Sequence, residues 1–163
     1  MKRFLIALIA AGLLAVPAAA SASPTGSTAA APVLWSGFGG TSTLFIRETL
    51  VLKTSAGKVS IKTLQSVMNC TDRSDGRVNK VAFSVYNNGV RATMRRNRFV
   101  INTTAVSTGR LAAVRISGTL GSNGRGSARL RLLGNSRDSN TGELLEECER
   151  EVTIQMRRGP RPR

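Results

Sequence analysis

The chain has 163 residues, 41% of them hydrophobic, with 24 Lys and Arg against 9 Asp and Glu and no histidine. The length suits one domain around one core, and the apolar content is that of a folded chain. The missing histidine removes the commonest general base, the commonest zinc ligand and every Ser-His or Cys-His nucleophile, while the formal net charge of +15 attracts polyanions.

Met1-Lys2-Arg3 is a short basic start, and Phe4 to Val16 is an unbroken apolar run that Pro17 ends. Ala20-Ser21-Ala22 fits the small-x-small rule for cleavage, so residues 1–22 are expected to be a secretory signal peptide. The run before Pro17 is too short to span a bilayer and no second run of spanning length follows, so no transmembrane anchor is expected. Removing the first 22 of 163 residues leaves 141, and the loss of Lys2 and Arg3 leaves a net charge of +13.

Residues 23–33, rich in Ser, Ala and Pro, read as a flexible leader, and residues 34–156 as a single β-domain. Thr41 to Leu52 is rich in β-formers, and Ala56-Gly57 is a turn. In Lys58 to Met68, Val59 and Ile61 alternate with polar residues until the phase changes near Thr63-Leu64, as at a bulge. Val81, Phe83 and Val85 alternate inward, and Asn88-Gly89 then offers the two positive-φ residues of a type I′ hairpin. That hairpin would set Val85 opposite Ala92 and put Val81, Phe83, Val85, Ala92 and Met94 on one face.

Arg98 to Thr103 is a further strand, and Ser107-Thr108-Gly109 is a turn. Ala112, Val114, Ile116 and Leu120 point inward from the next strand, then Ala128, Leu130 and Leu132 after a glycine-rich connection. Glu143 to Arg150 fits either a helical face or a strand bent near Arg150, and the strand is preferred; Val152, Ile154 and Met156 then alternate inward with Cys148. Residues 157–163 form a basic tail. Regular short strands without helix-length periods predict an all-β fold, an antiparallel β-sandwich or small barrel of about seven or eight strands. After secretion, Cys70 and Cys148 are expected to form one disulfide. A reactive thiol is disfavoured by the neighbouring Glu146, Glu147 and Glu149.

The arginines are the candidate site. Arg115, Arg129 and Arg131 point outward on strands expected to be adjacent. With Arg125 in the glycine loop and Arg157 and Arg158 at the end, they offer guanidinium forks to phosphate or carboxylate groups. The glycine loop Gly121 to Ser127 lacks the Gly-Lys-Ser/Thr of a phosphate-binding loop and reads as a hairpin connection. Asp138 to Glu143 and Asp72 to Gly76 read as turns and not as calcium loops. Glu143, Glu146, Glu147, Glu149 and Glu151 read as a charge ladder opposite arginines, with a carboxylate pair acting on glycans as the catalytic alternative. Only Tyr86 among the aromatic side chains is expected to point outward, which disfavours nucleic acid.

Gly57-Lys58-Val59, Cys70, Arg98-Phe99, Ile116 to Leu120, Gly124 to Ser127, Cys148 and Arg157-Arg158 stand in an order that resembles a group of small secreted bacterial two-cysteine β-domain proteins. The likeness covers roughly residues 37–158 and rests on turns and the cysteine pair, so it implies a fold and a secreted location and brings no activity. The expectation is a non-enzymatic secreted protein without cofactor or metal. It would bind an anionic cell-wall polymer or acidic glycan at the envelope or extracellular matrix. An inhibitor or partner binder using the Asn88 or Gly124 loop is a further alternative.

Overall fold

The structure, a computed structural model, describes residues 31–41 and 46–159. The signal peptide 1–22, leader residues 23–30 and tail residues 160–163 lie outside the described residues. Nine strands follow in order: β1 (Val33–Thr41), β2 (Arg47–Ser55), β3 (Lys58–Asp72), β4 (Val78–Tyr86), β5 (Arg91–Thr93), β6 (Arg98–Ser107), β7 (Arg110–Leu120), β8 (Arg125–Arg137) and β9 (Leu144–Arg158). The fold is all-β, and of the two expected architectures it takes the small barrel. All pairings are antiparallel, in the order β4-β3-β2-β1-β9-β8-β7-β6, with β5 on β3 and an added β3–β9 pairing.

The domain reaches further than expected at both ends. Val33, placed in the leader by the sequence, opens β1, and Arg157 and Arg158, placed in the tail, close β9. The reason is that β1 and the end of β9 are ladder partners, Trp35 opposite Arg158 and Ser36 opposite Arg157. Residues 143–150, ambiguous in sequence, are strand from Leu144 onward.

Two long strands hold the barrel together, each of 15 residues. One edge of β3 pairs first with β2 (58–65) and then with β9 (69–72). Its other edge pairs with β5 (58–60) and then β4 (63–71). Likewise β9 runs along β8 on one side, while its other edge passes from β3 (146–149) to β1 (155–158). The bulge that allows β3 to bend lies at Lys62, where the register against β2 slips between Val51 and Leu52. There the buried phase moves from Val59 and Ile61 to Leu64, Met68 and Cys70.

The Cys70–Cys148 disulfide forms as expected. The two residues face each other directly across the β3–β9 ladder and are buried. Beside it, where β2 gives way to β9, Glu48 is wholly buried. Its Oε1 accepts hydrogen bonds from Arg150 Nε at 2.6 Å and from Ser66 Oγ at 3.2 Å.

The Asn88-Gly89 segment does not form the expected hairpin. β4 and β5 lie end to end along the same edge of β3, with Tyr86 opposite Thr63 and Arg91 opposite Ser60. The intervening residues are a bulge, with positive φ at Asn87 and Gly89 rather than at two consecutive residues. Genuine two-residue type I′ hairpins form where positive φ is consecutive: at Ala56-Gly57, Arg96-Asn97 and Thr108-Gly109. The inward face holds nonetheless, because the bulge moves the inward phase from odd to even residues as β3 slips at Lys62: Phe83 and Val85 are buried, and Val81, Ala92 and Met94 pack against the core.

The barrel closes between β4 and β6 through side chains. Ser84 N–H donates to Ser107 Oγ at 3.0 Å, and Asn88 Nδ2 donates to Thr103 Oγ1 at 3.4 Å. Inside, Leu50, Leu52, Ile61, Leu64, Phe83, Ile116, Leu130 and Ile154 are among the fully buried side chains. Each stabilises the fold by about 1.5–3 kcal/mol relative to exposure.

Candidate anion-binding surface

With period-2 alternation, the odd-numbered residues of β8 face outward, and the ladder aligns them with outward residues of β7 and β9. Arg131 lies directly between Arg115 and Glu151, Arg129 between Ser117 and Thr153, and Arg125 opposite Arg157. All six sequence-proposed arginines, Arg115, Arg125, Arg129, Arg131, Arg157 and Arg158, are exposed. They are not equivalent. Arg129 is engaged by Glu151, its Nε 2.9 Å from Oε1. The rest fall into a lateral pair, Arg115 and Arg131, and a group at one end of the barrel, Arg125, Arg157 and Arg158. The row Thr119–Ser127–Gln155 separates that group from Arg129.

Carboxylates are concentrated at one end of the barrel, where Arg73, Arg77 and Arg110 pair with some of them. The turns at one end, β3–β4 and β8–β9, carry Asp72, Asp75, Asp138 and Glu143, and the adjoining start of β9 carries Glu146, Glu147 and Glu149. The opposite end holds the turns β2–β3, β5–β6 and β7–β8 and the close of β9. It presents Lys53, Lys58, Arg91, Arg95, Arg96, Arg98, Arg125, Arg157 and Arg158, all exposed. No acidic residue occurs from Gly76 to Arg137, so this end has no carboxylate in its turns. Lys53, Lys58 and Arg91 were not legible as a group in the sequence because they meet only through the β2–β3 and β3–β5 ladders.

Three of the five glutamates expected in a charge ladder pair with arginines, only Glu151 with one on a strand beside β9, and no salt bridge of the described residues involves Glu143 or Glu149. Glu146 Oε2 accepts from Arg110 Nε at 2.9 Å and Nη2 at 2.6 Å, Glu147 pairs with Arg73, and Glu151 pairs with Arg129. Asp72, Glu143 and Glu146 do line one depression of about 440 Å³. However, Asp72 Oδ1 accepts from Ser74 Oγ at 2.6 Å and Ser74 N–H at 2.8 Å. These bonds, the hydroxyl first, hold its carboxyl below the ordinary value of 3.8, the wrong direction for a general acid.

The calcium-like loop is a turn, as expected. Asp138 Oδ1 accepts from the N–H groups of Thr141 and Asn140, both at 2.8 Å. The β3–β4 loop repeats the plan: Gly76 N–H bonds Asp72 O as Gly142 N–H bonds Asp138 O. Cys70, Glu146 and Cys148 lie close together, but the sulfurs are bonded to each other and are not thiolate ligands.

Tyr86 is exposed and its hydroxyl accepts from Gln65 Nε2 at 2.8 Å. Trp35, Phe83 and Phe99 are buried, and half-buried Phe38 lies under Arg47 at 5.4 Å. Beyond the lateral arginines, Leu111, Ala113 and Leu133 make a small exposed apolar row. Among the described residues no helix is long and apolar enough to cross a membrane, and the disulfide is compatible with an extracellular protein. Comparison with protein-family models and with curated proteins gives no match.

Proposed function

We propose that the chain is a secreted, non-catalytic β-barrel that binds anionic polymer at the cell envelope or extracellular matrix through its arginine surface. Three cross-strand arginine pairs carry this reading: Arg115–Arg131, Arg125–Arg157 and Arg95–Arg98. Like charges set directly opposite each other destabilise a sheet. A fold built for its own stability would set a glutamate beside each pair; only Arg131 has one directly opposite, Glu151, and that carboxylate is taken by Arg129 on the diagonal. An external anion offsets the repulsion at all three. Guanidinium forks suit phosphate, sulfate and carboxylate groups alike, so an anionic wall polymer and an acidic glycan are the partner classes. A nucleic-acid reading is weaker because Tyr86 alone offers an open ring among the described residues. A carboxylate enzyme is weaker because Glu146, Glu147 and Glu151 are held by arginines.

The test is retention on phosphocellulose and heparin resins under a salt gradient. The oxidised protein should elute late, and the Arg115→Ala/Arg129→Ala/Arg131→Ala variant at clearly lower salt. Equal elution of the two proteins would sink the proposal.

A further inference from the structure

We infer that the outer surface around Ser60, at the cationic end of the barrel, is a binding site for one tetrahedral oxyanion, a phosphoryl or sulfuryl group. It rests on the polyanion reading above and gives that reading a defined contact.

The site is made by three strands. Ser60 of β3 lies directly between Lys53 of β2 and Arg91 of β5 in one ladder row. Lys58 stands two residues earlier on the same outward face, about 7 Å away. These residues, with Ser55, line a depression of about 230 Å³ that no carboxylate borders. Lys53, Lys58 and Arg91 are exposed and have no ion-pair partner among the salt bridges of the described residues.

The frame beneath is rigid. Ala56 and Gly57 make a two-residue turn that fixes Lys58 opposite Ser55, and Met94 N–H bonds Gly57 O at 2.8 Å, tying β5 to that turn. The bulge at 87–90 is what delivers Arg91 to Ser60. The Ser60 hydroxyl donates to Lys53 O at 3.5 Å, and the two ammonium groups, the guanidinium fork and the Ser55 hydroxyl that remain exceed what a planar carboxylate with two oxygens can use. A group with oxygens on four corners can accept from several of them at once.

The experiment is an amide-resonance titration of the oxidised protein with inorganic phosphate, sulfate and acetate, repeated on Lys53→Gln/Lys58→Gln/Arg91→Gln and on Arg77→Gln at the opposite end of the barrel. Phosphate or sulfate should shift Ser60, Lys58 and Arg91 far more strongly than acetate does. The first variant should weaken binding at least about tenfold, the size expected for losing charge-assisted hydrogen bonds, and the second should leave it unchanged. A response to phosphate alone identifies a phosphate ester as the source, and one to sulfate alone a sulfate ester. A thermal midpoint near that of the parent shows that each variant is folded, and Ser60→Ala provides a milder second probe. Shifts as large with acetate, no shift at Ser60, Lys58 and Arg91, or unchanged affinity in the first variant would each overturn the site. If resin retention survives any of those results, the polyanion reading stands without this site. If the parent protein itself is not retained, that reading fails first.

Discussion

Glu48 is the residue under most tension. It is wholly buried, its Oε1 is shared by Arg150 and Ser66, and its Oε2 has no hydrogen-bond partner. Removing one partner of a buried ion pair strands the other charge. Arg150→Ala should therefore cost about 3–5 kcal/mol in urea denaturation, whereas Arg131→Ala on the open surface should cost under about 1 kcal/mol. A loss at position 150 as small as at 131 would show that Glu48 is not held by this pair. Asp72 and Asp138 act differently, because both are half-buried in surface turns and their oxygens cap those turns. Hydrogen bonds from Ser74 to Asp72, and from Thr141 and Asn140 to Asp138, hold both carboxyls below 3.8. A depressed folded value gives stability that is present above the unfolded value and lost as pH falls through the folded one. The thermal midpoint should thus drop below about pH 4, and Asp72→Asn/Asp138→Asn should flatten that acid limb. An acid limb of the same steepness in the double variant would assign it to other groups.

At the level of elements, the disulfide and the close strand crossings matter most. Cys70–Cys148 closes a separation of 78 residues and joins β3 to β9 where neither has β2 or β1 between them. In the chain-entropy account such a link is worth roughly 4–5 kcal/mol, so reduction should lower the urea midpoint by that equivalent. A midpoint unmoved by reductant would mean that the β3–β9 ladder carries the junction alone. The β7–β8 ladder depends on glycine for a separate reason. A Cβ on Gly118 would lie 2.1 Å from the Ser127 carbonyl oxygen. Gly118→Ala should cost about 1–3 kcal/mol by forcing these strands apart, while Ala113→Ser, outward on the same strand, should be near neutral. Equal thermal midpoints for the two variants would contradict that close approach. Alternation made the inward faces of β7 and β8 legible, since Ala112, Val114, Ile116, Ala128, Leu130 and Leu132 are buried as their spacing requires. Pairing was less legible. Asn88-Gly89 has turn chemistry, yet β3 is long enough to hydrogen-bond both flanking segments. Straight continuation along its edge replaces the local hairpin.

Over the whole molecule, one end mixes carboxylates with arginines and the other carries cations without carboxylates in its turns. The cationic end has no carboxylate in its turns, and three arginine pairs oppose each other across ladders. The folded state should consequently gain stability from bound polyanion, which binds N in preference to U. Addition of heparin or polyphosphate at low salt should raise the thermal midpoint, and added sodium chloride should reduce that increment by screening. A midpoint unchanged by either polymer would argue that the repulsion is already relieved by spread of the side chains. The outward position of Arg115, Arg129 and Arg131 was readable because strand period alone decides the face. Their division into a free pair and a Glu151-bound member was not, because Glu151 lies opposite Arg131 in the ladder yet its side chain turns diagonally to Arg129.

The sequence by itself determined the all-β class, the inward and outward faces, most of the turns and the partner of each cysteine. These follow from period, from local turn chemistry and from there being two cysteines. Only the tertiary structure decided the barrel closure, the end-to-end arrangement of β4 and β5, and the meeting of Lys53, Ser60 and Arg91 in one row. Those depend on register between distant strands. Register is set by the competition of long edges for hydrogen-bond partners, which no local stretch of the chain encodes.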